Sequence, residues 1–187
     1  MAVFDPDADN GQALDYVIAR AGFATMYWSS AVLTKAVTWL RSAGYHIVAV
    51  DAGLWGNAMG MHQALGSALD LTDYHGHLAE LDDRMTDVRD PVHGLASNGA
   101  GLVLVMSRFD RFMAREPDTA RALLEIVTGH AATGALIGIR MLCLVQSDDP
   151  DLDIPEIGAY RVPWNNADWF DRKRHPDTAG QRPAERT

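Results

Sequence analysis

The chain has 187 residues, 48% hydrophobic and 22% charged, which is typical of a globular protein long enough for one domain with a substantial core. Its formal net charge of −9 at pH 7 argues against a nucleic-acid-binding protein, because such proteins carry basic patches that neutralise phosphates. The N-terminus lacks the pattern of a secretory signal and no apolar run is long enough to cross a bilayer, so we expect a cytoplasmic protein with no membrane partner.

Helices and strands alternate in the first part of the chain. Apolar spacing predicts a helix over 13–21, a strand over 24–28, a helix between Ser29 or Ser30 and Gly44, a strand over 45–50 and a helix over about 57–69. The strand that follows Gly44 is rich in β-branched and apolar residues, as expected for a buried parallel strand.

The alternation continues in the second part of the chain. Residues 90–101 are rich in turn formers and are predicted to be a loop. The pattern then predicts a strand over 102–106, one or two helical turns around 109–113, a helix from Pro117 to about 133 and a strand over 140–145. Further on, it predicts an edge segment over 160–164, a helix over 167–174 that docks through Trp169 and Phe170, and a disordered tail from 176.

Strands that alternate with helices predict an α/β fold. We expect a parallel sheet of three core strands, with room for extension, and helices packed against it. Residues 45–147 are interpreted as the central domain, with an N-terminal extension over 1–44 and a C-terminal extension over 148–187 on the same domain. The single cysteine, Cys143, lies in an apolar run and is expected to be buried and unreactive.

The stretch 74–88 reads as a short helix with one apolar and one acidic face. The apolar stripe contains Leu78, Leu81, Met85 and Val88. The opposite side contains Glu80, Asp83 and Asp87. The window 70–90 holds seven acidic and two basic residues, so it carries −5 of the total charge. A solvated surface helix is the simplest interpretation of such a charge run, and a basic partner is the interpretation that gives it a function.

This stretch has the order Tyr74-His75-Gly76, then Leu78, Leu81 and Asp83-x-Met85. Upstream lies Met61-His62-Gln63-x-Leu65, which leads to Leu69. Together these motifs resemble the barstar family of ribonuclease inhibitors, and the segments 45–51, 102–109 and 140–147 resemble the three strands of that family. The resemblance covers about one hundred residues, the size of a small domain. It implies a barstar-like parallel sheet.

The resemblance also implies a function. Barstar-type proteins are intracellular, immunity-type inhibitors without catalytic residues, cofactors or metals, and they insert an acidic helix into the basic cleft of a ribonuclease. A carboxylate there replaces the scissile phosphate through charge-assisted hydrogen bonds. The expected partner is therefore a basic protein, an extracellular-type or toxin ribonuclease, and not nucleic acid. The partner-binding residues implied are Asp83, Tyr74, His75, Gly76, His77, Glu80, Asp82 and Asp87.

Within this set, Asp83 corresponds to the key carboxylate of the family and Tyr74 to an aromatic anchor. The sequence departs from the family where His77 replaces Asn and Ala79 replaces the first Asp of the motif, a charge that Glu80 would partly restore. Gly129 falls where the family has a late acidic contact. These departures affect which protein would be bound more than they affect the predicted fold.

Two alternatives stay open at this stage. The first is a barstar-like binding or regulatory module for a basic partner that is not a ribonuclease. The second is a metal-dependent hydrolase that uses His75, His77 and the neighbouring Asp residues. The second signal is weak, because helical residues two apart point away from each other and no other catalytic motif accompanies them.

Overall fold

The computed structural model describes residues 13–97, 99–158 and 160–175. Four parallel strands form one sheet in the order β1-β4-β3-β2. The strands are β1 (Ala24–Tyr27), β2 (Tyr45–Asp51), β3 (Gly101–Ser107) and β4 (Met141–Gln146). The predicted α/β fold with a parallel sheet is therefore confirmed. The strand from the N-terminal part of the chain, β1, extends the three core strands by pairing with β4.

The register places β3 at the centre of the sheet. Val103 pairs with Ile47 of β2 on one side and with Leu142 of β4 on the other. Six of the seven residues of β3 are buried, as expected for a parallel strand that is covered on both faces. The carboxyl ends of the four strands meet at one edge of the sheet.

Within the described residues, seven helices connect and flank these strands. They are α1 (Leu14–Arg20), α2 (Ser30–Ser42), α3 (Ala58–Ala68), α4 (Leu78–Val88), α5 (Phe109–Arg115), α6 (Pro117–Leu136) and α7 (Asp171–Arg174), with short 3-10 turns at Ala52–Leu54 and Leu95–Ser97. Most boundaries agree with the predicted ones to within three residues. None of these helices is long and apolar enough to cross a lipid bilayer within the part of the chain that the structure describes.

The helices cover both faces of the sheet. Alternate residues of β3 show the division, since Leu102, Leu104 and Met106 face one hydrophobic cluster and Val103 and Val105 face the other. Helices α3, α4, α5 and α6 contribute to the first cluster, and α1 and α2 contribute to the second. The result is a three-layer arrangement in which the acidic helix α4 and the N-terminal helices lie on opposite faces.

Two predictions for the C-terminal part of the chain need correction. The helix expected over 167–174 is confined to Asp171–Arg174, because Asn165 accepts hydrogen bonds from the backbone N–H groups of Ala167 and Asp168 and forms a turn instead. The aromatic residues expected to dock, Trp169 and Phe170, are 58% and 56% exposed.

Other contacts hold this segment. The buried Arg174 donates to the backbone carbonyl groups of Asp168 and Pro150, each at 2.7 Å. The predicted edge segment is reduced to one bridge between Met26 and Trp164, which adds a single parallel contact to β1. The disorder predicted from residue 176 onward falls outside the described residues.

Candidate functional site around the acidic helix

The acidic helix α4 is anchored through its apolar stripe. Leu81, Met85 and Val88 are 1%, 1% and 3% exposed, and Leu78 is partly buried against the same cluster. These side chains lie against α6, the longest helix of the fold. Because one face of α4 is buried along its whole length, the opposite face is held in a fixed orientation toward solvent.

The helix begins after a tight turn formed by Tyr74, His75, Gly76 and His77, here called the leading turn. Gly76 is buried with a φ of +94°, a conformation that favours glycine. A Cβ atom at this position would lie 3.3 Å from both His62 Cβ and Met59 Sδ. The geometry thus explains Gly76 by the turn that leads into the helix, without a partner.

Glu80 stabilises the leading turn. Its carboxylate accepts hydrogen bonds from the backbone N–H groups of His75 at 2.9 Å and Gly76 at 3.2 Å, and it lies 3.0 Å from His75 Nδ1. His77 occupies the N-cap position without a side-chain capping bond, and Glu80, in the first turn of α4, binds the backbone N–H groups of the two residues that precede His77. The hydrogen bond with the His75 side chain, supported by the backbone bonds, lowers the pKa of Glu80.

The sequence placed Glu80 with the outward-facing carboxylates. The structure corrects this placement, because the half-buried side chain folds back over the leading turn. The backbone N–H groups at a helix N-terminus are unsatisfied within the helix and attract negative charge. A carboxylate at this position is therefore explained by local structure, without a partner.

Tyr74 is half-buried between α3 and α4. Its hydroxyl group is hydrogen-bonded to His62 Nδ1, and its ring covers Gly66, where a Cβ atom would lie 2.9 Å from Tyr74 Cδ1. Burial lowers the pKa of His62 and raises the pKa of Tyr74 to about 12. The hydrogen bond thus joins a neutral imidazole and a neutral phenol. Tyr74 packs within the protein and leaves only part of its surface for a partner.

Asp82 is bound by residues that the sequence did not single out. Arg89 Nε donates to His130 Nδ1 at 2.9 Å, and His130 Nε2 lies 2.9 Å from Asp82 Oδ1. Because Nδ1 accepts, Nε2 carries the proton and donates to the carboxylate. His130 is buried in α6, next to Gly129, so this chain of hydrogen bonds links α4 to α6. A histidine 48 positions from its partner gives no local sequence signal.

Asp83 and Asp87 remain on the solvent-exposed side of α4. Asp87 lies 3.6 Å from Arg84 Nη1, one turn away on the same helix. The Asp83 carboxylate makes no hydrogen bond or ion pair with any residue in 13–97, 99–158 or 160–175. Of the four carboxylates on the helix, Asp83 is therefore the one whose oxygens are all available to a partner.

The two histidines of the leading turn do not form a metal site with the acidic residues. The side chain of His75 is 76% exposed and pairs with Glu80, while His77 is exposed at the N-cap. Across the described ranges, no group of three or more His, Cys, Asp or Glu side chains is arranged to hold a metal ion.

Comparison with known proteins adds no assignment. A scan against protein-family models and a search of curated proteins both found no match for this chain. The functional interpretation consequently depends on the residues and geometry described above.

Proposed function

We propose that this protein is an inhibitor or immunity-type binder of a basic ribonuclease, and that it inserts the outer face of α4 into the catalytic cleft of its target. Asp83 would occupy the place of the substrate phosphate. This proposal combines the resemblance of the sequence to barstar-type inhibitors with the geometry of α4. It requires no catalytic residue, cofactor or metal from this chain.

The observation that carries the proposal is the exposed and unpaired Asp83 on a helix whose other face is buried. A carboxylate held on a fixed backbone loses little conformational entropy on binding, which favours affinity. A ribonuclease cleft presents Arg, Lys and His side chains that bind phosphate oxygens, and the same donors can bind a carboxylate. Asp83 is thus pre-positioned for such a cleft.

The surrounding charge supports the same target. The segment around α4 carries a net charge of −5, and Asp82 and Asp87 remain partly exposed beside Asp83. A concentrated negative field accelerates association with a cationic surface and loses this effect as salt is added. We therefore expect the association rate constant to fall steeply with ionic strength, and the dissociation rate constant to change less.

The proposal is tested by titrating the full-length protein into barnase-type ribonucleases, including those encoded beside its own gene, and measuring RNA cleavage. We expect stoichiometric inhibition of at least one enzyme. The isosteric change Asp83→Asn should weaken inhibition by roughly 30-fold or more, because it leaves cationic groups of the enzyme buried without a counter-charge.

The matched control is Asp153→Asn, which removes one exposed carboxylate and the same unit of charge from the C-terminal segment. Inhibition by this variant should stay within about twofold of wild type, since an exposed charge outside α4 makes no contact in the proposed interface. Equal losses in the two variants would reduce the role of Asp83 to net charge. Failure to inhibit any of the enzymes would contradict the ribonuclease target.

A non-ribonuclease basic partner is the second candidate, favoured by the commitment of Glu80 and Asp82 to contacts within the protein. Two carboxylates with internal partners leave a smaller charged surface than the family pattern implies. Affinity capture on immobilised wild-type and Asp83→Asn protein separates the two candidates. A basic protein that binds only the wild type and lacks ribonuclease activity would support the second.

A further inference from the structure

A cavity of about 550 Å³ lies on the face of the sheet opposite to α4. It is open to solvent on one side and is bordered by α1, α2, β1 and the segment 163–169. Its walls are mainly apolar and include Val17, Ile18, Tyr27, Ala36, Trp39 and Trp164. Binding sites for small organic molecules are typically apolar clefts of about 300–1,000 Å³ that carry a few polar groups. The cavity has the size and lining of such a site.

The fold explains why the cavity forms there. Because β1 is an edge strand, its face toward α1 and α2 lies at the margin of the second hydrophobic cluster. The side chains of Thr25 and Tyr27, two residues apart, project toward the same face and line the cavity. The small side chain of Ala36 on α2 leaves the space above them unfilled.

The C-terminal segment completes the wall. The backbone N–H of Met26 donates to the Pro163 carbonyl at 2.7 Å, and Asn165 N–H donates to the Met26 carbonyl at 2.8 Å. These bonds hold Trp164 against the cavity. The Asp168 carboxylate accepts from the backbone N–H groups of Trp28 and Ser29 just beyond β1. The wall is thus fixed by main-chain contacts and not by loose apolar packing.

Tyr27 lines the cavity, and its hydroxyl group is an unsatisfied polar group buried behind the cavity wall. Tyr27 is 1% exposed, and among the described residues its hydroxyl is the buried side-chain N or O atom that lacks a hydrogen-bond partner. Such groups are uncommon, because a buried donor without an acceptor is energetically unfavourable. Burial, together with the nearby Asp168 charge, raises the pKa of Tyr27, so the group remains a neutral phenol and a donor.

We propose that this cavity binds an apolar small molecule with a neutral hydrogen-bond acceptor, such as a ketone, ester or amide carbonyl. The ligand would receive the hydrogen bond from Tyr27 after a small rotation of that side chain toward the cavity. A neutral acceptor is favoured over a carboxylate because Asp168 already places negative charge near the hydroxyl. The site shares no lining residue with α4, so it is independent of the proposed ribonuclease inhibition.

Benzophenone and 1,1-diphenylethylene are suitable probes, because they have nearly the same shape. The first carries a C=O group where the second carries a C=CH₂ group. Ligand-observed NMR titration of each probe into the full-length protein measures both affinities. We expect wild type to bind the ketone about five- to tenfold more tightly, the ratio expected for one net hydrogen bond. Tyr27→Phe should bind both probes equally and keep the wild-type affinity for the alkene.

Two further variants locate the site. Tyr45→Phe removes the hydroxyl of another buried tyrosine on the same face, one that already bonds to Asp15 and does not line the cavity, so it should keep the preference for the ketone. Val17→Trp fills the cavity from α1 and should abolish binding of both probes, with circular dichroism confirming its fold. The proposal is overturned if wild type binds neither probe, if it binds both equally, or if the preference persists in Tyr27→Phe.

Discussion

Replacing Gly76 with alanine tests whether the leading turn is built as described. Gly76 combines a φ of +94° with burial, and a Cβ atom there would lie 3.3 Å from both His62 Cβ and Met59 Sδ. Both distances are tighter than ordinary van der Waals contact. Either His62 or Met59 must therefore move, and the backbone must accept a left-handed conformation that alanine disfavours.

The magnitude follows from three contributions. The left-handed conformation costs a non-glycine residue about 1–2 kcal/mol. Displacing packed neighbours by a few tenths of an ångström adds about 1 kcal/mol, the lower end of overpacking costs, because the thioether of Met59 is flexible. The reduced entropy of the unfolded chain offsets about 0.4–1 kcal/mol. We expect Gly76→Ala to lower the free energy of unfolding by about 1–3 kcal/mol.

Two other glycines of this chain provide controls. Gly138 follows α6 with a φ of +93° and has open space around its Cβ position, so Gly138→Ala carries only the backbone cost and the same unfolded-state offset, a net loss of up to about 1.6 kcal/mol. Gly129 lies exposed within α6, and no atom lies within 4 Å of its Cβ position. Gly129→Ala should stabilise the protein by up to about 1 kcal/mol, because alanine favours helices.

Urea unfolding at equilibrium, followed by circular dichroism, measures all three variants. The expected order of unfolding midpoints is Gly129→Ala above wild type, then Gly138→Ala, then Gly76→Ala, with unchanged m-values. If Gly76→Ala were as stable as wild type, the turn that leads into α4 would not have the geometry described. A loss equal to that of Gly138→Ala would remove the contribution assigned to His62 and Met59.

Three further predictions follow from buried or paired groups. The Arg108 hydrogen bonds lower the pKa of Asp51. This pair therefore stabilises the fold above about pH 3.9, and its contribution is lost as pH falls through the folded-state pKa of Asp51. Asp51→Asn should flatten the dependence of the unfolding free energy on pH below about 4. Burial raises the pKa of Cys143 to about 12, so its thiol should react with a disulfide reagent only after denaturant is added. Rapid reaction in buffer would contradict its burial. A double-mutant cycle of Asp82→Asn and His130→Gln should give a coupling of about 0.5–1 kcal/mol, and additive effects would remove the proposed link between α4 and α6.

The order of helices and strands was predictable from the sequence, because burial on a sheet leaves a strong pattern. The strands β3 and β4 are apolar runs that the parallel sheet buries on both faces, as expected. The strand β2 was also expected to be buried, but it lies at the edge of the sheet, and of its seven residues only Tyr45 and Val48 are buried. The apolar stripe of α4 followed from helical spacing alone, and its residues Leu81, Met85 and Val88 are buried as expected.

The site was less predictable, because its side chains bind groups that are distant in sequence or belong to the backbone. Helical spacing places Glu80 beside Asp83, yet the unsatisfied N–H groups of the leading turn draw Glu80 away. The contact between Asp82 and His130 depends on how α4 lies against α6, which no local pattern specifies. The unsatisfied hydroxyl of Tyr27 likewise arises from tertiary packing.

The carboxylates of α4 fall into two groups, those that contact other groups of the protein and the one that does not. Glu80 caps the leading turn, Asp82 binds the histidine of α6, and Asp87 lies near Arg84, so each of these three charges has a role in the isolated protein. The repulsion expected within an acidic cluster is offset at these positions by the helix N-terminus or by a nearby donor. Asp83 has no such compensation among the described residues, and in the isolated protein only water solvates its carboxylate. Because its neighbours are accounted for, the isosteric Asp83→Asn change distinguishes a recognition helix from a surface helix that is merely acidic.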